Sequence, residues 1–441
     1  MSRNGNRKRE VEMKKQIHNS ARAVRGWLAL TLAIAALIAS AIPAFGFDKK
    51  KNNAPAATPQ KTNELSQVDK SKIVWPSPPD IARIKYLDYF AGEKLPDFNA
   101  KPEKKKSSWM DKLAGGSTAP SEDLLRNHFF MGEPHGMAVD SKGNLYVADS
   151  KVSVIFIINP ETHDTQLIKN GKDADFGLIV GLAIDDSDRL FVSDPEKSRV
   201  DVFDANHKQE GAITGGLQSP TGLAIDNENR FLYITDIGLD QVLVYDADTL
   251  QLLRTIGTSG KDHTLTDPGD FAKPTGAAVD ADGNLYVADM LNARIEVFDA
   301  DGNFIRAFGK RGDGPGYFAM PKGVAVDSDG HVWVTDAMQN HVQLFTAEGG
   351  FLLSMGFGRG ILPGQFSGVQ YVTIDNKNNR VFTSEVFPGR VQEFRYVTQS
   401  EAQTEYKRVI AEAEKRAAER KAKSGEKGTE KPAPQGTPGK P

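Results

Sequence analysis

Residues 280–289 read DADGNLYVAD, and residues 140–149 repeat this stretch almost unchanged as DSKGNLYVAD. Further copies follow along the chain, for example IVGLAIDDSDRLFVSD at 179–194 and PKGVAVDSDGHVWVTD at 321–336. The central aspartates of six copies lie 41 to 54 residues apart: Asp140, Asp185, Asp226, Asp280, Asp327 and Asp375. Because each copy is too short to bury a core alone, the six must stack on one another.

Each copy has the pattern of a four-stranded antiparallel sheet. In the fourth copy, short apolar runs are separated by Asp282-Gly283 and Asp301-Gly302, which are typical hairpin turns because glycine tolerates positive φ. The run 285–288 is apolar on both faces, so both faces of this sheet must be covered. Six sheets packed radially against each other give an all-β fold, a six-bladed β-propeller.

The sixth copy lacks a fourth strand, because RVQEFRYV at 390–397 runs directly into a helical pattern. Upstream of all the copies, RIKYLDYFAG at 83–92 matches the missing strand in length and pattern. An open ring would expose an unpaired sheet edge. We therefore expect this N-terminal strand to complete the sixth blade and close the ring.

The stretch 308–336, together with NARIEVFD at 292–299, resembles the NHL-repeat family of six-bladed propellers. The resemblance covers about 81–397 and implies the propeller fold, in a family that contains binding scaffolds and a few enzymes. Amidating lyases that resemble this family bind zinc through histidines that follow the blade-opening prolines. Here only His135 matches, and the equivalent positions hold Val180, Thr221, Thr275, Lys322 and a diverged segment near Gln370. A zinc site uses three protein ligands and a water, so we expect neither metal nor cofactor.

The residues after the blade-opening prolines should surround one mouth of the central channel: His135, Thr221, Thr275 and Lys322. They include no nucleophile–base pair and no carboxylate cluster, so we expect them to contact a ligand or partner and predict no catalytic residue. Six acids that end the second strands could form a catalytic ring, but their regular spacing favours turn caps: Asp149, Asp194, Asp236, Asp289, Asp336 and Glu385.

The N-terminal region has the pattern of an export segment. Residues 1–26 carry eight Lys or Arg against two Glu, and Trp27–Gly46 is uncharged. Twenty helical residues span roughly 30 Å, which is the thickness of a bilayer core. The preceding basic excess predicts an inner-membrane anchor, or alternatively a cleaved signal, with the rest of the chain in the periplasm.

The segments that flank the propeller differ from it in composition. Residues 47–80 have the composition of a flexible linker, and 424–441 that of a disordered tail. Ser400 and Gln403 form a capping-box pattern at the start of a charged helix over 398–423. The chain has no cysteine, so disulfides and thiolate sites are excluded. Its net charge of −3 gives no basic face for nucleic acid.

We therefore predict a non-catalytic binding or scaffolding propeller in the bacterial cell envelope, where "bacterial" rests on the segment order and the family resemblance. One loop face would bind an envelope protein or a small ligand. The alternative is a lactonase-like metal-dependent hydrolase, or a lyase, with its site in the central channel.

Overall fold

The computed structural model describes residues 68–78, 80–93, 129–258, 263–356 and 358–426. The predicted segments 1–26 and Trp27–Gly46 lie outside these ranges, as does most of the predicted tail. Among the described residues, no helix is both long and apolar enough to cross a bilayer.

The chain forms a six-bladed β-propeller, as predicted. Each of the first five blades is a four-stranded antiparallel sheet whose strands, here named A to D, follow chain order. Strands A of neighbouring blades contact each other around the central channel. Blade 1 contains β3 (Pro134–Val139), β4 (Leu145–Asp149), β5 (Val154–Ile158) and β6 (Thr165–Lys169). Blade 2 contains β7 (Leu182–Ile184), β8 (Leu190–Asp194), β9 (Arg199–Phe203) and β10 (Gln209–Ile213). Blade 3 contains β11 (Pro220–Asp226), β12 (Phe231–Asp236), β13 (Gln241–Asp246) and β14 (Leu252–Ile256).

Blade 4 contains β15 (Pro274–Val279), β16 (Leu285–Asp289), β17 (Arg294–Phe298) and β18 (Phe304–Phe308). Blade 5 contains β19 (Pro321–Val326), β20 (Val332–Asp336), β21 (His341–Phe345) and β22 (Phe351–Met355). Blade 6 contains β23 (Val369–Asp375), β24 (Arg380–Glu385) and β25 (Arg390–Tyr396), preceded in the chain by β1 (Val74–Trp75) and β2 (Ile84–Phe90). Every residue of the B strand β16 is buried, which confirms that its two faces are both covered.

The A–B hairpin of blade 4 forms as the Asp-Gly pattern predicts. In blade 4, the Asp280 carboxylate accepts the backbone N–H groups of Asp282 and Asn284, at 3.0 and 2.8 Å. Gly283 adopts φ +80°, a conformation that L side chains rarely take. The central aspartate of the repeat therefore holds the A–B turn, and its position in the sequence marks the end of strand A.

The N-terminal strand closes the ring, which confirms the prediction. β2 pairs antiparallel with β25 from Ile84 opposite Tyr396 to Phe90 opposite Val391, and it occupies the strand D position of blade 6. The Tyr86 ring packs edge-on against Phe394, with centroids 5.5 Å apart. The two ends of the propeller are thus joined within one sheet.

The described structure differs from the sequence prediction at two flanking points. The segment predicted as a linker through residue 80 contains a 3₁₀ turn, Lys70–Lys72, and strand β1, which pairs with β2 as a fifth strand. Trp75 is buried and packs 5.8 Å from Phe394, so contact with blade 6 orders this short strand.

The C-terminal helix, α1, extends over Gln399–Glu426. Its capping box is formed by Thr398 and Glu401, and the predicted pair Ser400 and Gln403 was wrong. The Glu401 carboxylate accepts the Thr398 N–H at 3.0 Å, and the Glu401 N–H donates to the Thr398 hydroxyl at 3.4 Å. Strand β25 ends at Tyr396, so the helix cap falls at Thr398, two residues before the predicted cap at Ser400.

Ring closure can be tested by truncating one buried side chain of β2. Tyr86→Ala removes a buried ring that contacts Phe394, so we expect a loss of about 3–5 kcal/mol in the free energy of unfolding. The adjacent Lys85 is exposed, and Lys85→Ala should change it by less than about 0.5 kcal/mol. Denaturant unfolding followed by tryptophan fluorescence measures both, and equal effects would contradict the closing role of β2.

Candidate functional site

The acids that end the B strands cap the loops around the channel mouth, as predicted. Asp336 is fully buried, and its carboxylate accepts four backbone N–H groups. Two of them, from Ala319 and Met320 at 2.7 and 3.1 Å, belong to the loop that enters blade 5. The other two, from Met338 and Gln339 at 3.0 and 2.9 Å, belong to the B–C turn. The carboxylate therefore fastens two loops together and has no free oxygen for catalysis.

The sixth acid shows how a different residue meets the same requirement. Glu385 accepts the Ser367 N–H at 2.8 Å and pairs with Arg390 at 2.9 Å. Burial raises the pKa of Glu385, and the Arg390 charge opposes this effect. Arg390 also donates to the Ile361 and Gln365 carbonyls, at 2.6 and 2.9 Å, in the loop that enters blade 6. Acid and arginine together hold this loop.

A closed ring of hydrogen bonds joins neighbouring blades around the channel, and we call this ring the neck. Each hydrogen bond runs from one blade to the next. The donor is a side-chain hydroxyl or a backbone N–H, and the acceptor is the backbone carbonyl of the residue that follows the blade-opening position, such as His135 after Pro134. The six bonds are Gly136 N to Val180 O (2.8 Å), Ser193 Oγ to Thr221 O (2.5 Å), Thr235 Oγ1 to Thr275 O (2.6 Å), Thr275 Oγ1 to Lys322 O (2.9 Å), Thr335 Oγ1 to Gln370 O (2.6 Å) and Ser384 Oγ to His135 O (2.6 Å).

The neck requires glycine where neighbouring A strands approach. A Cβ at Gly181 would collide with the Thr221 carbonyl oxygen, and one at Gly222 would collide with that of Thr275. This close approach explains why a glycine follows the channel-mouth position in the first five blades.

The predicted mouth residues Thr221 and Thr275 lie in the neck. Each is 7% exposed. The Thr221 hydroxyl lies 3.0 Å from the Thr235 hydroxyl, and the Thr275 hydroxyl donates to the Lys322 carbonyl. Both hydroxyls are therefore engaged between blades.

His135 and Lys322 provide the polar chemistry of the mouth, and only Lys322 can carry a charge at pH 7. Burial, together with the Lys322 charge, lowers the pKa of His135 from 6.5 to about 4, so this imidazole is neutral at pH 7. Burial also lowers the pKa of Lys322. The Lys322 ammonium donates to the Gln370 side-chain oxygen at 2.8 Å and has no carboxylate partner among the described residues.

The sixth blade contributes two residues that the sequence prediction did not assign to the mouth, where it named only a diverged segment near Gln370. Gln370 occupies the post-opening position, and Tyr371 replaces the glycine found there in the other blades. Tyr371 lines the central channel, a cavity of about 340 Å³. Burial raises its pKa above the ordinary value. The signal in the sequence is the divergence of VQY at 369–371 from the proline–X–glycine pattern of the other blades.

The loops around the mouth expose large apolar side chains. We call this side of the propeller the loop face, and it consists of the B–C turns and the loops that enter the A strands. Met338 is 63% exposed and Phe387 is 60% exposed, both in B–C turns. Met338 lines a cleft of about 450 Å³ between blades 4 and 5, together with Leu291 and Met320. Exposed apolar groups that line a cleft in this way are typical of contact surfaces.

No metal site is evident in the described ranges, where no three His, Asp or Glu side chains converge as potential ligands. The positions equivalent to His135 hold Val180, Thr221, Thr275, Lys322 and Gln370, none of which is a usual zinc ligand.

Comparison with known proteins supports the propeller assignment. Family models match an NHL repeat at 131–158, an SMP-30/gluconolactonase/LRE-like region at 202–309 and a 6-bladed beta-propeller at 277–356. A structural genomics protein of unknown function from Bacteroides thetaiotaomicron has the same fold, with a TM-score of 0.50 and 15% identity over 70% of this chain and 75% of that chain. The NHL-type, six-bladed character predicted from the sequence is thus confirmed.

The curated relatives have diverse names. A probable peptidyl-alpha-hydroxyglycine alpha-amidating lyase from Caenorhabditis elegans is 27% identical over 50% of this chain and 54% of its own length. NHL repeat-containing protein 2 from Bos taurus is 24% identical over 55% and 30%. A gluconolactonase from Zymomonas mobilis is 25% identical over 35% and 48%. The chain spans about half or less of the length of these relatives, which indicate an enzymatic or binding propeller.

The capping role of the terminal acids can be tested at Asp336. Asp336→Ala leaves buried N–H groups without an acceptor, and we expect a loss of at least about 3 kcal/mol in the free energy of unfolding. Asp301→Ala, at an exposed turn, should change it by less than about 0.5 kcal/mol. A small effect at Asp336 in denaturant unfolding would reopen a catalytic role for the ring of acids.

The environment of His135 predicts a pH dependence of stability. Because its folded pKa of about 4 lies below 6.5, its contribution is fully present above pH 6.5 and is lost as the pH falls towards 4. The loss should be on the order of 2 kcal/mol after allowance for solvent at the mouth. His135→Gln should remove this component between pH 6.5 and 4. An imidazole that titrates near 6.5 by NMR would contradict the burial argument.

Proposed function

Since the chain is a six-bladed β-propeller with NHL-type repeats, we propose that it is a non-catalytic binding module that uses its loop face and channel mouth to hold a protein partner. The observation that carries the proposal is the composition of the mouth. It presents one neutral imidazole, one ammonium and one amide, without a metal-binding set or a nucleophile–base pair among the described residues.

The charge of the mouth favours an acidic group on the partner. Burial disfavours the charged form of Lys322, and its Gln370 contact supplies only a neutral oxygen. A carboxylate or phosphate that enters the mouth would stabilise the ammonium through a charge-assisted hydrogen bond. The neutral His135 imidazole can donate one further hydrogen bond.

The apolar residues of the loop face favour a macromolecular partner over a free small ligand. Leu178, Leu291, Met338, Ile361 and Phe387 are each at least 40% exposed, and all lie on loops at the mouth side. A partner that covers them would gain about 25 cal/mol for each Å² of apolar surface removed from water. Methionine side chains adapt their shape to a bound surface.

We further propose that the propeller acts outside the cytoplasm of a bacterial cell, tethered by Trp27–Gly46. The support is the basic, then apolar, then polar order of residues 1–80 in the sequence. On this hypothesis the partner is a protein of the cell envelope.

A metal-dependent hydrolase or a lyase is the second candidate, and the names of the relatives favour it. The lactonase-like region matched at 202–309 includes Thr221 and Thr275 of the neck. Enzymes of this kind would need ligands for a divalent ion in the channel, and the described mouth residues lack three suitable side chains.

The decisive experiment is affinity purification of the full-length, tagged protein from gently solubilised membranes, with metal analysis of the same eluate. We expect a defined partner without stoichiometric divalent metal. His135→Ala with Lys322→Ala should weaken capture at least about tenfold, which corresponds to 1.4 kcal/mol. Lys377→Ala, at an exposed A–B turn away from the mouth, is the matched control and should leave capture unchanged.

The opposite result would point to the enzyme. Stoichiometric metal without a partner, together with turnover of a lactone or an α-hydroxyglycine peptide, would overturn the binding proposal. A partner that is retained equally by the mouth variant and the control would remove the mouth from the interface and leave only the apolar loops.

A further inference from the structure

A second polar pocket, of about 350 Å³, lies between blades 1 and 2. Its lining includes Asp140 at the end of strand A, whereas His135 lies at the start of that strand, so the pocket belongs to the face opposite the channel mouth. Gln166 of strand D and Ala205 of the C–D turn in blade 2 form two of its other walls.

At the junction of blades 4 and 5, an arginine of the protein itself occupies the corresponding space. Strand pairing aligns Tyr286 with Val297, and Val297 with Arg306, in one row across blade 4. The Arg306 guanidinium donates to the Ala347 carbonyl of blade 5, at 3.0 and 2.6 Å. It also lies 6.0 Å from the centre of the Tyr286 ring.

The junction of blades 3 and 4 repeats this arrangement. The row across blade 3 runs from Tyr233 through Val244 to Arg254. Arg254 donates to the Ala300 carbonyl of blade 4, and its guanidinium lies 4.5 Å from the centre of the Phe231 ring. Two junctions thus place a guanidinium between an aromatic ring and the carbonyl of a C–D turn.

Blade 1 has the same row without the arginine. Tyr146 pairs with Ile157, and Ile157 pairs with Gln166, so glutamine occupies the position of Arg254 and Arg306. Ala205 is the second residue after strand C of blade 2, as Ala300 and Ala347 are in blades 4 and 5. The Ala205 carbonyl accepts no hydrogen bond from the described residues. The pocket therefore lies at the place of the guanidinium in the sister junctions. Tyr146, Gln166 and Ala205 hold the equivalent positions, and His207 stands where those junctions have Gly302 and Gly349.

The electrostatics of the pocket favour a cation. Asp140, Asp164 and Asp188 line it, against a single ammonium, that of Lys142. Neither Asp140 nor Asp188 forms an ion pair within the described part of the chain. Burial lowers the pKa of His207, so this imidazole is neutral at pH 7; its Nε2 lies 2.8 Å from the Tyr146 hydroxyl.

We propose that this pocket binds a guanidinium group from outside the chain, supplied by free arginine or by an arginine side chain of a polypeptide. A guanidinium has five donors in a planar fork that suits carboxylates and a carbonyl, and it stacks on aromatic rings such as that of Tyr146. The site is independent of the function proposed for the loop face, because it lies on the opposite face and shares no residue with the mouth.

The first test is calorimetric titration of the full chain with methylguanidinium, with methylammonium as the matched probe. We expect methylguanidinium to bind at least about tenfold more tightly. Gln166→Arg should fill the pocket with the protein's own guanidinium, weaken the added probe at least about tenfold and raise Tm by about 2 °C. Gln251→Arg, the same change at an exposed position before β14, should leave affinity and Tm unchanged.

A second variant keeps the test valid if Gln166→Arg fails to fold. Asp188→Asn preserves the shape of a residue that accepts the Ser141 N–H at 2.8 Å, but it removes one charge, so it should weaken methylguanidinium binding about threefold or more. Titration with free arginine and with an acetylated, amidated Gly-Arg-Gly peptide then identifies the source of the guanidinium group. Tighter binding of the peptide indicates a polypeptide, and tighter binding of free arginine indicates a small ligand.

Three results would overturn the proposal. They are equal affinity for methylguanidinium and methylammonium, unchanged affinity in both Gln166→Arg and Asp188→Asn, and absence of binding at about 10 mM probe.

Discussion

The close approach of six strands at the neck is the constraint on which the rest of the molecule depends. Each A strand must come near enough to the next for a hydroxyl or backbone N–H to reach one carbonyl, and this distance excludes a Cβ at Gly181 and Gly222. Where blade 4 has Ala288 in place of the donor residue, Thr275 supplies the hydroxyl instead. The ring of hydrogen bonds therefore stays closed even where a blade uses a different donor residue. Its geometry fixes the positions of His135 and Lys322 at the mouth.

Most of the fold could be predicted from the sequence because it depends on local chemistry repeated six times. The Asp-Gly turns, the doubly buried B strands and the capping acids each follow from residue types at fixed spacing. The closing strand could be identified because the sixth copy was visibly incomplete. Strand β1 was not predicted, since the two residues Val74 and Trp75 carry no periodicity and gain their order from contact with β2 and Phe394.

The candidate site was less accessible to such reasoning. The sequence predicted Thr221 and Thr275 at the channel mouth, whereas the structure places them in the neck. The partner of each hydroxyl depends on the neighbouring blade, which no local pattern reveals. Gln370 and Tyr371 were not assigned to the mouth because the sixth copy has lost the motif that marks the position. The arginine space between blades 1 and 2 became visible only when strand pairing put Gln166 in register with Arg254 and Arg306.

The closing strand also has a consequence for how the molecule is made. The Arg83 side chain donates to the Val397 carbonyl across 314 residues of sequence, so the last sheet joins the earliest and latest parts of the propeller. At about 5–20 residues per second, synthesis of the intervening chain takes roughly 15–60 s. Throughout that interval the apolar side chains of β2 have no native sheet to join. A nascent propeller of this topology has to be protected from aggregation until its final strand emerges from the ribosome.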